Sequence, residues 1–217
     1  MREILVRTTM EVDVSAKDLY ELRKVSYAQW EEKGLVIPAI HQPMPWFSHY
    51  LIGKTVFVAH DAETGELLAM HTFRLNKKKG IASGANLAVS PTAKKEGIAT
   101  RMLEAEIERF RKADYRYLTG ATGIPAVWSV RWHLKNGYYI TGYKRSEGNN
   151  YASYTFCKPI VLDFRHHPLD IFWTRPIAPL TARLHYMVSY LITHIVKTRS
   201  GKLTLLGRLA KKMLKNH

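Results

Sequence analysis

The sequence predicts an α/β fold of the α+β type, in which a mixed sheet of six to seven strands is flanked by helices and followed by a basic helical extension at the C-terminal end. Runs of β-branched and aromatic residues come first as a hairpin, and later strands alternate with helical periods. That order favours a mixed sheet over a doubly wound parallel sheet. Apolar residues at 46% and charged residues at 24% are typical of a globular chain that can bury a core.

Local signals in the first half place strands, a helix and a turn. Ser15 can cap a helix that ends before Gly34. Three prolines within residues 35–47 predict a loop or irregular helix, of a kind that often lines a substrate site. The segment DAETGE at 61–66 supplies a hairpin turn. The elements predicted here are strands at residues 3–7, 55–60, 67–75 and 83–89, and a helix at residues 15–33.

The second half alternates helical and strand patterns. An apolar stripe at helical spacing predicts one helix, and Asn136 with Gly137 ends a second. The stripe consists of Ile98, Met102, Leu103, Ile107 and Phe110. The elements predicted here are helices at residues 97–113 and 126–135, and strands at residues 115–118, 138–143 and 151–158.

Positive charge is concentrated toward the C-terminal end. The chain carries 33 Lys and Arg against 18 Asp and Glu, a formal net charge of +15. Such a charge implies an anionic partner: a phosphorylated small molecule, an acidic membrane surface or nucleic acid. Residues 160–217 hold ten of the bases and only two acids, Asp163 and Asp170. We therefore predict a catalytic-sized domain over residues 1–159 and a basic extension over residues 160–217.

The passage NLAVSPTAKKEGIATRML, at residues 86–103, contains the strongest candidate for a binding site. A strand ends near Val89, and Gly97 opens a helix after the basic pair Lys94 and Lys95. The first N–H groups of a helix have no partner inside it, and the helix dipole adds partial positive charge there. The segment can therefore bind phosphate or pyrophosphate. An ordinary strand-to-helix turn with solvated lysines is the alternative.

The spacing of residues 89–99, V-x-P-x-x-K-x-x-G-I-A, resembles the coenzyme A signature of the GNAT acyltransferase superfamily. The usual form is Arg or Gln, two residues, Gly, one residue, then Gly or Ala. Lys94 departs from that form and keeps the positive charge. The order of the predicted elements is also similar to that family, as is the stretch 126–145, in which a helix ends at Gly137 and a tyrosine follows. The resemblance covers residues 3–158.

The resemblance implies that an acyl group, usually acetyl, is moved from acetyl-CoA to an amine without a covalent enzyme intermediate. A longer acyl chain, or an acidic carrier protein as donor, is a variant of this expectation. The strand edge is expected to bind the pantetheine arm, and the backbone N–H groups that follow are expected to hold the pyrophosphate. The cofactor-binding residues implied are Leu87, Ala88, Val89, Lys94, Lys95, Glu96, Gly97, Ile98, Ala99 and Thr100.

Two residues are candidates for protonating the leaving thiolate. The family's tyrosine, four residues before the glycine, aligns with His133, whose side chain can donate a proton near neutral pH. A histidine that only packs on a helix flank is the alternative. Tyr138 is the second candidate, and a core role is the alternative for it and for Tyr139 and Tyr143. The family's asparagine at the helix start aligns with Ala126.

The sequence does not identify the base that deprotonates the amine. His71 on the hairpin could face the acceptor cleft, although strand histidines are more often packed or exposed. Glu96 lies inside the phosphate loop and is expected to face solvent, and a chain of water molecules is a further route. Trp46 and His41, in the proline-rich segment, are candidates for an acceptor pocket or for anchoring the first helix.

The basic extension ends in an amphipathic pattern. On a helical wheel of residues 202–215, apolar side chains share one arc and four bases share the opposite arc. This pattern favours an interfacial helix on an anionic membrane, and a helix packed on the domain or on the second copy of a homodimer is the alternative. No signal peptide or spanning segment is evident. We therefore expect a cytoplasmic protein, peripheral on the inner face of the membrane.

Two other classes of function stay open as alternatives. A basic nucleic-acid-binding module is disfavoured, because the bases cluster at the phosphate loop and in the extension and no helix-turn-helix or RNA-binding motif is evident. A catalytically inactive relative that binds a membrane or nucleic acid would explain the missing family Asn and Tyr. The single cysteine, Cys157, excludes a disulfide framework and a cysteine-based zinc cage, and no metal is expected.

Overall fold

The computed structural model describes residues 2–145 and 150–161. The amphipathic pattern at residues 202–215, with the extension from residue 162 onward, lies outside the described residues. Seven strands form one mixed sheet, which confirms the predicted fold class. The strands are β1 (Ile4–Thr8), β2 (Thr55–Asp61), β3 (Leu67–Asn76), β4 (Ile81–Val89), β5 (Tyr117–Gly123), β6 (Tyr139–Arg145) and β7 (Ala152–Pro159).

The strand order across the sheet is β1-β2-β3-β4-β5-β7-β6. Only β4 and β5 pair in parallel, and the other neighbouring pairs of this sheet are antiparallel. The helices of the described residues are α1 (Ala16–Glu31), α2 (Pro38–His41), α3 (Met44–Leu51), α4 (Ile98–Lys112) and α5 (Val127–Lys135). The predicted cap of the first helix is confirmed, because the Ser15 hydroxyl accepts the Asp18 N–H at 3.1 Å.

The two faces of the sheet carry separate apolar cores. Side chains of adjacent strand residues point to opposite faces, so Phe57 and Val58 of β2 belong to different cores. On one face, α1 and α3 contribute Leu19 and Phe47 to the first core. On the other face, α4 and α5 cover the second core, which includes Phe73 of β3. Each core fixes the position of a helix pair relative to β4 and β5.

The pairing between β4 and β5 ends soon after it begins. Ile81 to Ser83 of β4 pair with Tyr117 to Thr119 of β5, and beyond these residues the strands diverge as a fork. We call the point of divergence, between Gly84 and Gly120, the vertex of the fork. The pairing of β3 with β4 shifts by one residue in the same region, since Met70 faces Ala88 but Thr72 faces Ala85. This bulge includes Asn86, whose φ is +53°.

The largest boundary difference from the prediction concerns β5. The sequence predicts a strand at residues 115–118, whereas β5 runs from Tyr117 to Gly123. Its second half, GATG, has a low intrinsic strand propensity, but it pairs along its whole length with β7. Among the helices that the structure describes, none combines the length and the apolar character needed to cross a bilayer.

A buried arginine makes a stability prediction. Arg23 of α1 is 1% exposed, its guanidinium lies 4.1 Å from the ring centroid of Phe47, and its Nε and Nη2 have no hydrogen-bond acceptor among the described residues. Unpaired buried donors destabilise a fold, and burial lowers the pKa of this group. We expect Arg23→Met to raise the free energy of unfolding by about 1 kcal/mol in urea titrations. Lys24→Met, at an exposed neighbour, is the control, and a less stable Arg23→Met protein would contradict the argument.

Candidate functional site

The divergence of β4 and β5 opens a cavity of about 340 Å³. Both strands line it, and it is reached by side chains from both faces of the sheet. From the α1 face these are Tyr27, Trp30 and Ile37. From the opposite face they are His71, Ser129, Trp132, His133 and Tyr138. A ligand in this gap between the strands can therefore contact groups from both faces of the sheet. The cavity volume lies in the range of small-molecule sites.

Helix α1 holds the diverging end of β4 in place. The Tyr27 hydroxyl donates to the Leu87 carbonyl at 3.1 Å, and the Ser26 hydroxyl donates to the Val89 carbonyl at 2.9 Å. Ala88 between them is 1% exposed and packs in the core under α1. These contacts keep the strand extended beside the cavity, although β5 no longer supports it. Of the predicted strand-edge residues, Leu87 lines the cavity.

The loop after β4 delivers open backbone N–H groups to the start of α4. Gly97 caps the helix with φ +77°, and Lys95 before it also has a positive φ of +70°. The N–H groups of Thr100 and Arg101 donate to the Gly97 carbonyl. Within the described ranges, the N–H groups of residues 95–99 have no backbone acceptor. A Cβ added at Gly97 would meet no atom within 4 Å, so space for an anion lies against these donors.

Two predicted side chains of this loop are held by neighbouring elements. Lys94 donates to Gln29 of α1 at 2.7 Å, and burial, followed by the charge of Lys33, lowers the pKa of its ammonium group. Glu96 lies 3.5 Å from Arg2 in an ion pair. Lys95 is exposed at the rim. The Lys94 side chain thus ties the loop to α1, and the backbone and Lys95 supply the groups that are open to an anion.

A hydrogen bond joins this loop region to α5. The Trp132 indole N–H donates to the Thr100 hydroxyl at 3.1 Å. The same helix places His133 on the cavity, where its ring stacks on Phe156 with centroids 4.5 Å apart. His133 Nδ1 lies 2.7 Å from the Ser129 carbonyl, to which it must donate. The other nitrogen, Nε2, therefore accepts hydrogen bonds when the ring is neutral.

Burial sets the protonation state of His133. Burial outweighs the opposing hydrogen bond to the Ser129 carbonyl and, with a smaller contribution from the charge of His71, lowers the pKa of the imidazole to about 4. At pH 7 only about one ring in a thousand carries a second proton. Proton donation by His133, as the sequence predicts, depends on that minor form.

Tyr138, unlike His133, keeps a proton that it can donate. It is 6% exposed, lines the cavity, and burial raises the pKa of its phenol, with the charge of Glu106 as a smaller cause. The hydroxyl therefore stays protonated over the physiological pH range, and no residue in the described part of the chain bonds to it. The ring is held by His133 and Trp132 at centroid distances of 5.1 and 6.3 Å. This arrangement provides a fixed hydrogen-bond donor.

The structure places a buried carboxylate beside His71 that the sequence analysis did not identify. Glu106 of α4 is 1% exposed and lies 2.9 Å from Nδ1 of His71. His71 itself, which the sequence left between a cleft and a packed position, is both buried and part of the cavity wall. A signal was present, because Glu106 lies on the buried stripe of α4 between Met102 and Phe110.

The proline-rich segment contributes to the cavity through a residue other than the two predicted. Trp46 is 42% exposed and stacks on Tyr50, and His41 pairs with Glu31. Neither lines the cavity, whereas Ile37 does. Within the residues that the structure describes, no group of three His, Cys, Asp or Glu side chains could hold a metal ion.

The low pKa of His133 makes a pH prediction. The unfolded imidazole binds a proton near pH 6.5, but the folded one does so only near pH 4. The contribution of the neutral His133 ring to the free energy of unfolding is therefore fully present above pH 6.5, and it is lost as the pH drops toward 4. Between pH 6.5 and 5.5, we expect the native chain to lose about 1 kcal/mol more free energy of unfolding than His133→Phe. The free energies of unfolding are measured by chemical denaturation at both pH values. An equal loss in the native chain and in His133→Phe would contradict this prediction.

Comparisons with known proteins give one family match and several structural matches. The family model described as the acetyltransferase (GNAT) family matches residues 16–138. No curated protein matches the chain by sequence. Solved structures do match: the ribosomal-protein-S18-alanine N-acetyltransferase from Escherichia coli is 15% identical, with a TM-score of 0.59 over 76% of this chain and 98% of that one. An IAA acetyltransferase from Bacillus cereus is 12% identical, with a TM-score of 0.53 over 72% and 99%.

A third solved structure that matches contains a bound ligand. It is a GNAT family acetyltransferase from Elizabethkingia anophelis with acetyl-CoA bound, 13% identical, with a TM-score of 0.52 over 72% of this chain and 97% of that one. At these identities the structural likeness establishes the fold alone. The family match, in contrast, covers more than half of the chain.

Proposed function

The chain belongs to the acetyltransferase (GNAT) family, and from this premise we propose that it moves an acetyl or other acyl group directly from a coenzyme A thioester to an amine. The observation that carries the proposal is the fork: its cavity is lined by the bulged edge of β4, and that strand leads through a short loop to the open N–H groups at the start of α4. These features suit an extended arm that ends in a pyrophosphate. The family's use of acetyl-CoA supports the same donor here.

Different residues of the chain would bind different parts of the donor. Leu87 to Val89 present the strand edge for the pantetheine arm, and the N–H groups of residues 95–99 bind the pyrophosphate, with Lys95 at the rim. The Thr100 N–H, also predicted for this role, already donates to Gly97. The bound thioester supplies an activated acyl carbon. We assign the backbone N–H groups of the bulge around Asn86, which lines the cavity, as donors to the carbonyl oxygen of the thioester.

Tyr138 is the group that we assign to the leaving sulfur. Its hydroxyl is a protonated donor on the cavity wall, whereas His133 offers an acceptor nitrogen at neutral pH. A donor aimed at the sulfur stabilises the negative charge that develops as the bond to the acyl carbon breaks. His133 then contributes by packing, since it lies against both Tyr138 and Phe156.

The sequence of the extension supports a location for the acceptor. In residues 202–215, an apolar arc lies opposite an arc of four bases, a pattern of helices that lie on anionic membranes. We propose an amine acceptor at the inner surface of the cytoplasmic membrane, with the enzyme peripheral to it. Full-length Lys211→Glu/Lys212→Glu protein should co-sediment less with phosphatidylglycerol vesicles than the native chain. Equal sedimentation of the two proteins would remove the membrane from the proposal.

The activity is tested by following thiol release from acetyl-CoA with a disulfide reagent, in the presence of a panel of amines that includes amino lipids and amino sugars. Acetyl-CoA binding is measured in parallel by calorimetry. Binding with turnover supports the transferase. Binding with no turnover of any amine favours the inactive relative, and a folded chain that binds no acetyl-CoA overturns the proposal. Salt-dependent binding of an oligonucleotide in that last case would favour the nucleic-acid alternative.

A further inference from the structure

Two histidines reach the vertex of the fork from the α4 and α5 side of the sheet. A Cβ added at Gly84 of β4 would lie 2.7 Å from Nε2 of His71, and a Cβ added at Gly120 of β5 would lie 3.9 Å from Nε2 of His133. That same position on Gly120 is 3.8 Å from the Gly84 carbonyl oxygen. The glycines thus leave room for two imidazole nitrogens at the point where the strands part.

The partners of the two rings fix which nitrogen carries the proton. His133 Nδ1 faces a backbone carbonyl and must donate to it. His71 Nδ1 lies 2.9 Å from the Glu106 carboxylate, which, when ionised, also requires a donor. In both neutral rings Nε2 then carries a lone pair. None of the residues that the structure describes donates a hydrogen bond to either Nε2.

Two lone pairs that face one cavity select the chemistry of what enters it. A carbonyl or carboxylate oxygen placed directly against these two nitrogens would be repelled, because it too offers only lone pairs. A molecule with N–H groups, such as the amine that the proposed reaction consumes, is complementary to both nitrogens. Of the two rings, only His71 has a carboxylate beside it that stabilises the imidazolium ion, since the partner of His133 is a neutral carbonyl.

We propose that His71 is the catalytic residue that accepts the proton lost by the amine. Glu106 is the positioning residue that orients the His71 ring and stabilises its protonated form. This inference rests on the proposed function. As the nitrogen bonds to the acyl carbon and the bond from that carbon to sulfur breaks, the proton moves from nitrogen to Nε2, directly or through one water molecule. It then passes from Nε2 to the sulfur, which regenerates neutral His71, while Tyr138 holds the sulfur by a hydrogen bond.

Few titratable side chains lie around His71. The titratable side chains of the elements packed around it are Glu106 from α4, His133 from α5 and Tyr138 before β6, with Cys157 of β7 beside Tyr138. The amine can transfer its proton only to a His71 ring whose Nε2 is unprotonated, so the rate should be higher at alkaline than at acid pH.

The first test uses the free protein and needs no turnover. Long-range proton–nitrogen NMR on histidine-labelled native chain should show His71 with a proton on Nδ1 and none on Nε2. In Glu106→Gln the amide can donate to Nδ1 instead, so the proton should move to Nε2. A His71 protonated on Nε2 in the native chain would overturn the proposal, as would a tautomer that is the same in both proteins.

The second test is kinetic. His71→Gln should lower kcat about 10²-fold or more, should remove the rise of the rate with pH, and should leave acetyl-CoA binding within about twofold of native. His60→Gln, which removes a strand histidine outside the cavity, is the matched control and should keep both rate and pH profile. Gly84→Ala provides a second variant, because its Cβ displaces the His71 ring without removing it, and it should reproduce the loss of rate.

The outcomes separate this proposal from the proposed function. A native chain that neither binds acetyl-CoA nor releases thiol overturns the proposed function and the role of His71 with it. A native chain that turns over while His71→Gln keeps its rate and pH profile overturns only the role of His71. A folded His71→Gln that loses acetyl-CoA binding along with its rate would show a structural role and would also overturn the proposal.

Discussion

Replacing Gly97 by glutamate is expected to weaken acetyl-CoA binding roughly 100-fold in calorimetric titrations, since like charges brought together cost several kcal/mol. Gly97 caps α4 beside N–H groups that have no backbone acceptor, and the space above its Cα is open. A carboxylate at this position would occupy the anion site itself. It would also cancel the positive end of the α4 dipole.

The matched control for this variant is Gly53→Glu. Gly53 has φ +71° and open space above it, as Gly97 has φ +77° and open space. The two variants therefore add the same charge and the same backbone strain. Gly53 lies between α3 and β2, away from the cavity. Equal loss of binding in both variants would mean that strain, and not the anion site, accounts for the result.

Replacing Tyr138 by phenylalanine should lower kcat by about 10²- to 10³-fold, because it removes the donor that we assign to the leaving sulfur, where negative charge develops. The Michaelis constant for acetyl-CoA should change little, since the ring and its contacts with His133 and Trp132 are retained. Steady-state thiol release measures both quantities. An unchanged kcat would contradict the assignment of Tyr138 to the leaving sulfur.

Tyr115→Phe is the control for the loss of a buried phenol. Tyr115 is 6% exposed, as is Tyr138, and the two rings belong to the same core. Tyr115 packs on Phe110 and does not line the cavity. Its variant should match any small change in stability that Tyr138→Phe shows while retaining native kcat.

Much of the fold could be predicted because it depends on local patterns. The apolar stripe of α4, the Ser15 cap and the hairpin strands β2 and β3 arise from residues close in sequence. The divergence of β4 and β5 could not be predicted from local patterns, because it is a property of how two strands pair across the sheet. The end of β5 was missed for the same reason, since β7 supports it from far along the chain.

The candidate site divides in the same way. Gly97 and its open N–H groups follow from the spacing of one short segment, and the structure describes both at the start of α4, while the binding of an anion there stays a prediction. The pairing of His71 with Glu106 joins residues 35 positions apart and requires α4 to pack on β3. The carboxylate on a buried stripe indicates that a partner exists, but only the packing identifies it as His71.

The central claim is that a coenzyme A thioester occupies the fork and the start of α4. It is tested most directly by amide hydrogen exchange of the full chain with and without acetyl-CoA. We expect slower exchange for the amides of residues 86–89 and 95–99, with little change in the Lys77–Lys79 turn at the other end of β4. Slower exchange confined to that turn or to β1, or unchanged exchange at both segments under saturating acetyl-CoA, would contradict the claim.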